Sequence, residues 1–195
     1  MPQSRRLVLG STSPYRKALL GRLGLPFETA SPAYEEAPLP GEAPARTALR
    51  LALGKARSLA RRFPDALIIG ADQVASCGRL RLDKPGSHAP AVRQLRAMSG
   101  KTARFDTAVA LLDAKTGRAQ WKVVACKVAF RRLDRRQIES YLRRERPYDC
   151  AGSAKAEALG FALIHRLELD DRTSRRGPPL IALSGMLARA GLPPV

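Results

Sequence analysis

The sequence predicts one α/β domain over residues 1–195, a mixed twisted sheet flanked by helices. Three observations predict it. Short apolar runs that close on glycine, LVLG at Leu7–Gly10 and LIIG at Leu67–Gly70, alternate with stretches whose apolar residues recur at three- and four-residue steps. A chain of 195 residues, 45% hydrophobic and 27% charged, is long enough to bury one ample core. No internal repeat, heptad or low-complexity tail points to a solenoid or coiled coil instead.

Each element has a local cause. Leu7–Gly10 reads as a buried strand that delivers its outgoing end to a helix, with Ser13 as N-cap and Pro14 in the first turn, where a missing N–H costs nothing. Leu49, Leu53, Ala56, Ala60 and Phe63 line one face of a helix of about five turns from Pro44 to Phe63. Asp65–Ala75 holds a strand whose buried run ends at Gly70, which leaves Asp72 and Gln73 near its outgoing end. His88–Met98 is a helix closed by Gly100. Phe105–Asp113 and Trp121–Phe130 form an antiparallel pair about the turn Lys115-Thr116-Gly117. Asp134 caps a helix that runs to about Arg146 and stops before Pro147. Phe161–Leu169 reads as a strand, and Pro178–Ala190 as a last helix ended by Gly191.

Composition narrows the function classes. The four-residue apolar stretch before Ser11 is too short for a signal-peptide core or a membrane span, so a cytoplasmic protein with no membrane partner is expected. Cys77, Cys126 and Cys150 are scattered, with no CxxC pair, and read as buried thiols. With only His88 and His165, any metal should be a hard cation on carboxylates. The net charge of +18 attracts polyanions without choosing among them. Its arginines are spread through helices and no base-stacking aromatic motif accompanies them, so nucleic acid is neither required nor excluded as a partner.

Several residues suit phosphate chemistry. Ser11, Ser13, Arg16 and Lys17 gather at the Ser13 turn, where free N–H groups and the positive end of a helix dipole favour an anion. Lys55 and Lys84 can each meet phosphate as a point charge. Asp72 lies where open α/β sheets place ligands, at the carboxyl end of a strand. The Pro-rich loop from Ser31 to Pro44 is the one long irregular segment, and its Glu36 is a candidate metal ligand. CAGSAKAEALG at Cys150–Gly160 combines small residues with Lys155 and Glu157, which suits close backbone approach to a ligand.

In order, STSPYRK, Glu35-Glu36, GKA at Gly54–Ala56, GADQV at Gly70–Val74, DKP at Asp83–Pro85 and AGSAKAE at Ala151–Glu157 resemble the Maf family of nucleotide pyrophosphatases, from Leu7 to about Leu187. The resemblance implies two lobes around a central cleft, a homodimer, a nucleotide substrate and a divalent cofactor, Mg²⁺ or Mn²⁺. It implies hydrolysis between the α and β phosphates, with Asp72 accepting the proton of the attacking water, Glu36 and Asp72 at the metal, and Ser11, Ser13, Arg16, Lys17, Lys55 and Lys84 on the phosphates. Tyr15, Gln73 and Glu157 resemble the branch selective for 7-methylguanosine triphosphate; the branch that prefers dTTP and UTP usually has Arg, Thr and Gln there. Physics agrees with that choice: a methylated guanine ring is cationic, so Tyr15 could stack on it for about 0.5–2 kcal/mol and Glu157 could offset its charge. Two positions depart from the family pattern, Lys17 where Arg is common and Gly54 where many members carry an acid. The rival readings are a broader nucleotide pyrophosphatase and a nonenzymatic basic RNA-binding module.

Overall fold

The computed structural model describes residues 5–37, 39–155, 158–174 and 177–195. Its sheet has seven strands: β1 (Leu7–Gly10), β2 (Glu28–Ala30), β3 (Leu67–Cys77), β4 (Leu80–Leu82), β5 (Thr102–Asp113), β6 (Ala119–Phe130) and β7 (Ile164–Leu169). Their order is β2-β1-β3-β5-β6-β7, with β4 paired to β3 off this path. Pairing is mixed. β1 is parallel to both β2 and β3, whereas β3–β4 and β6–β7 are antiparallel. Five helices accompany the sheet: α1 (Pro14–Leu20), α2 (Pro44–Ser58), α3 (His88–Met98), α4 (Arg135–Glu145) and α5 (Leu180–Arg189). The α/β class read from the sequence is the one observed.

The chain divides into two compact units. The first comprises residues 1–73, 107–124 and 171–195, and it is built on β1 and the first part of β3. Leu7, Leu9, Leu67 and Ile69 pack with Leu19, Leu20, Leu180, Leu183 and Leu187, while Val8 and Ile68 face Ala56, Leu59 and Phe63. Both faces are therefore covered by apolar neighbours, which is why these strands read as unbroken apolar runs rather than alternating ones. The second unit, residues 74–106 and 125–170, has its own core, in which Leu95 and Met98 of α3 meet Ile138 and Leu142 of α4 and Val128 and Phe130 of β6.

Several boundaries differ from the sequence reading. The helix expected to reach Phe63 ends at Ser58, and residues 59–63 continue as turns held by Phe63 N–H donating to the Leu59 carbonyl. Its buried stripe is Ala48, Leu51, Ala52, Lys55 and Ala56; Leu49 and Leu53, expected inside, are half-buried. The buried run expected to end at Gly70 continues beyond it and the strand reaches Cys77, so Asp72 and Gln73 sit mid-strand. Glycine at 70 marks close approach: a Cβ there would lie 2.0 Å from the Ala52 carbonyl oxygen, so α2 rests directly on β3. Residues 159–163 are a short 3₁₀ turn, and the strand expected from Phe161 begins at Ile164. Only Cys126 is a fully buried thiol; Cys77 and Cys150 are half-buried.

Candidate active site

The site is assembled on β1, α1, α2 and β3 of the first unit. Two buried charged residues define it. Asp72 is 7% exposed and Lys55 is 5% exposed. Lys55 Nζ donates to Asp72 Oδ1 at 2.6 Å and lies 2.8 Å from Glu36 Oε1, so two carboxylates converge on one ammonium group. An isolated buried charge would cost several kcal/mol, and this pairing is what makes the burial of Lys55 tolerable. Arg16 Nη2 adds a second cation 3.9 Å from Asp72 Oδ1. Both contacts to Asp72 fall on Oδ1.

The turn after β1 supplies the neighbouring polar groups. Ser13 caps α1 by accepting from Arg16 N–H at 3.4 Å, and Ser13 N–H donates to Ser11 Oγ at 3.2 Å. Arg16 Nη1 also lies 3.5 Å from Ser11 Oγ, so the guanidinium spans the interval between Ser11 and Asp72. The helix here is only seven residues long, and its dipole is correspondingly small. Any attraction for phosphate at this turn therefore rests on Arg16, Lys17 and the hydroxyls more than on the helix end, which corrects the weight given to the dipole above.

Gln73 points into a different network. Its amide N–H₂ donates to Thr107 Oγ1 at 2.8 Å and to the Ser174 carbonyl at 3.4 Å, so its carbonyl oxygen is the half left for a ligand. Asp171 holds that turn: Thr173 donates to its Oδ1 from both N–H and Oγ1, while Ser174 Oγ donates to the Asp171 carbonyl. Among the described residues Asp171 Oδ2 is the one buried side-chain oxygen without a partner. Sequence reasoning missed Thr107, Asp171 and Ser174. The Asp-x-Thr-Ser turn at 171–174 is visible in the sequence, but nothing local ties it to Gln73, 98 or more positions earlier.

The other expected site residues are placed less centrally. Tyr15 is 49% exposed on α1, and Lys17 is exposed beside it. Lys84 is exposed in the second unit, in the segment between β4 and α3. Glu157 lies outside the described residues. No group of three or more His, Cys, Asp or Glu side chains gathers among the described residues. Glu36 and Asp72 converge on the Lys55 ammonium, and the two carboxylates fit the donor chemistry of a hard divalent ion held beside that pair, since Mg²⁺ commonly takes one or two carboxylates and completes its shell with water and phosphate oxygens.

A family model described as Maf-like protein matches residues 6–190. This chain belongs to the Maf family. Among its relatives, a 7-methyl-GTP pyrophosphatase of Polaromonas sp. (strain JS666) is 55% identical over 98% of this chain and 87% of that protein. The 7-methyl-GTP pyrophosphatase of Cupriavidus pinatubonensis is 54% identical over 96% of this chain and 94% of its own length. Among solved structures, a HAM1 protein from Coxiella burnetii aligns with a TM-score of 0.50 at 18% identity, covering 67% of this chain and 75% of that one, which is a likeness of fold. In this Maf protein the first five motifs fall on the turn after β1 and the start of α1, residues 35–36, α2, β3 and the segment after β4, and the sixth begins at residues 151–155 and runs on outside the described residues.

Proposed function

We propose that this Maf protein is a nucleotide pyrophosphatase that hydrolyses 7-methyl-GTP to 7-methyl-GMP and pyrophosphate. The observation that carries the reading is the convergence of Asp72, Glu36, Lys55 and Arg16, two carboxylates and two cations, around one small volume. Relatives at 54 to 55% identity over nearly the whole chain bear that activity in their names.

Cleavage of a phosphoanhydride asks mainly for alignment of a water with the leaving oxygen and for positive charge around the phosphates. Asp72 Oδ2 accepts the water's proton and aims it at the α-phosphate. Lys55 and Arg16 fix Asp72 through Oδ1, so the carboxylate has little freedom to turn away. By the family resemblance, Ser11, Ser13, Arg16, Lys17, Lys55 and Lys84 are the residues assigned to the triphosphate oxygens. Glu36 and Asp72 would hold Mg²⁺ or Mn²⁺, which would supply positive charge against the phosphates. Tyr15, exposed on α1, offers its ring to the cationic base, the Gln73 carbonyl oxygen accepts from a base N–H, and Glu157 offsets the positive charge.

The test is a panel of 7-methyl-GTP, GTP, dTTP and UTP with Mg²⁺ or Mn²⁺, with products identified by mass. The expected result is pyrophosphate and 7-methyl-GMP from the methylated substrate in preference to the others. Equal turnover across the panel would replace this reading with a broad-specificity pyrophosphatase, and orthophosphate as the product would place the cleaved bond elsewhere. The reading includes a cytoplasmic homodimer, which sedimentation at micromolar concentration checks.

A further inference from the structure

The Pro-rich loop 31–43 carries Glu36, whose side chain is 56% exposed yet reaches the buried Lys55. A half-solvated carboxylate on an irregular segment holds such a position only if the backbone on either side is anchored, because ordering each loop residue costs about 1–2 kcal/mol of backbone entropy. The anchors are visible. On the far side of Glu36, Arg50 of α2 forms a paired contact to Glu42 through Nε at 2.8 Å and Nη2 at 2.7 Å, and Nη2 also donates to the Ala37 carbonyl at 3.2 Å. On the near side, the Tyr34 ring lies flat on α2 at Gly54, so close that a Cβ at residue 54 would be 2.2 Å from Tyr34 Cζ and 2.4 Å from both ring Cε atoms. No side chain at residue 54 can coexist with the ring in this place. Gly54 is helical and immediately precedes Lys55.

From this geometry we infer that the Tyr34 ring seated on Gly54 is a positioning device for the reaction: it fixes the loop so that Glu36 meets Lys55. Glycine in a helix interior costs roughly 1 kcal/mol relative to alanine, so its presence beside Lys55 calls for a compensating role. The role is to leave α2 bare where the ring docks. A side chain at residue 54 and an aromatic ring in this place are mutually exclusive occupants of one space. Tyr34 acts through Glu36.

The inference rests on the proposed pyrophosphatase chemistry for its catalytic consequence, but its structural half can be read without substrate. A glutamate-specific protease cleaves after Glu35 and Glu36 only when the loop leaves α2, so the cleavage rate reports loop release. Gly54→Ala and Tyr34→Ala should each speed that cleavage about tenfold, Gly54→Ala with the thermal midpoint of the folded protein unchanged or raised, and Tyr34→Phe, which keeps the ring and gives up only the hydroxyl contact to Arg50, should cleave far more slowly than Tyr34→Ala. Adding Gly54→Ala to Tyr34→Ala should change nothing further, since both act through one contact. With 7-methyl-GTP, the two alanine variants should lower kcat about tenfold with a smaller change in KM, because phosphate contacts on α1 are untouched, and should raise the Mn²⁺ concentration needed for half-maximal activity. Cleavage at the unaltered rate in both alanine variants would overturn the inference. Faster cleavage with unchanged kcat would overturn its catalytic half. Absence of pyrophosphate release by the unaltered protein would instead remove the functional reading and leave the protease result standing.

Discussion

Charge is treated in opposite ways around Lys55 in the first unit and on α3 and α4 in the second. In the first, Lys55 and Asp72 are buried and paired, with Arg16 and Glu36 completing the set. In the second, Arg93 and Arg96 of α3 and Arg135, Arg136, Arg143 and Arg144 of α4 stand on exposed helix surface, and no carboxylate contact reaches them among the described residues. Nearby acids are turned to other uses: Asp134 completes a reciprocal cap with Gln137, and Glu139 accepts from His88. A net charge of +18 is therefore two different things. A few buried charges fix a geometry, and many solvated ones raise a field that draws in anionic substrate and fades with salt. Charge count alone favoured the RNA-binding reading; placement favours the enzyme.

That contrast can be broken at several points. The largest effect is expected from Asp72→Asn, which keeps shape and removes the proton acceptor: pyrophosphate release should fall about 10³-fold, within the range for loss of a general base, while the circular dichroism spectrum stays native. Next is Lys55→Met. It strands the buried Asp72 carboxylate beside an apolar chain, and urea denaturation should show a loss of about 3 kcal/mol, as for removal of one partner from a buried pair. Were the loss under about 0.5 kcal/mol, the pair would be behaving as a surface one.

Smaller effects sharpen the comparison. The Arg5–Asp113 pair is an intermediate case, with Nη2 and Oδ1 2.6 Å apart and both side chains partly exposed. The Arg5 guanidinium, helped by the backbone N–H groups of Thr116 and Lys115, holds the Asp113 carboxyl at about 2, below its ordinary 3.8. A lowered carboxylate pKa gives stability that is complete above pH 3.8 and is lost as the pH falls through about 2, so Asp113→Asn should cost about 1 kcal/mol at pH 7 and progressively less as the pH falls through that range. Least of all, replacing Arg135 and Arg136 together by alanine should leave kcat unchanged and shift stability by less than about 0.5 kcal/mol, while flattening the salt dependence of kcat/KM. A collapse of kcat in that variant would mean the exposed arginines do more than attract.

Much of this was legible in the residues. The Ser13 cap, the Asp134 cap and the glycine-closed runs announced their elements because the causes are local. Asp72, Glu36, Lys55 and Arg16 were readable through motif resemblance, and their meeting within 4 Å is what the fold adds. The failures share a cause, which is dependence on distant partners. Gly70 looked like the end of the buried run because the reason for its missing side chain, the Ala52 carbonyl, is 18 residues away. The Gln73 network and the Tyr34–Gly54 contact were invisible for the same reason. Leu49 and Leu53 were misplaced because a buried lysine occupies the stripe that hydrophobic spacing assigns to apolar residues.

At Gly70 a helix carbonyl and a strand backbone touch with only a hydrogen atom between them. The span from the α2 ammonium to the β3 carboxylate is thus set by main chain pressed on main chain, a gauge that no exchange of leucine for valine in the surrounding interior can recalibrate. Adding one methyl group at residue 70 would wedge helix from strand and separate the proton acceptor from the cation that aims it.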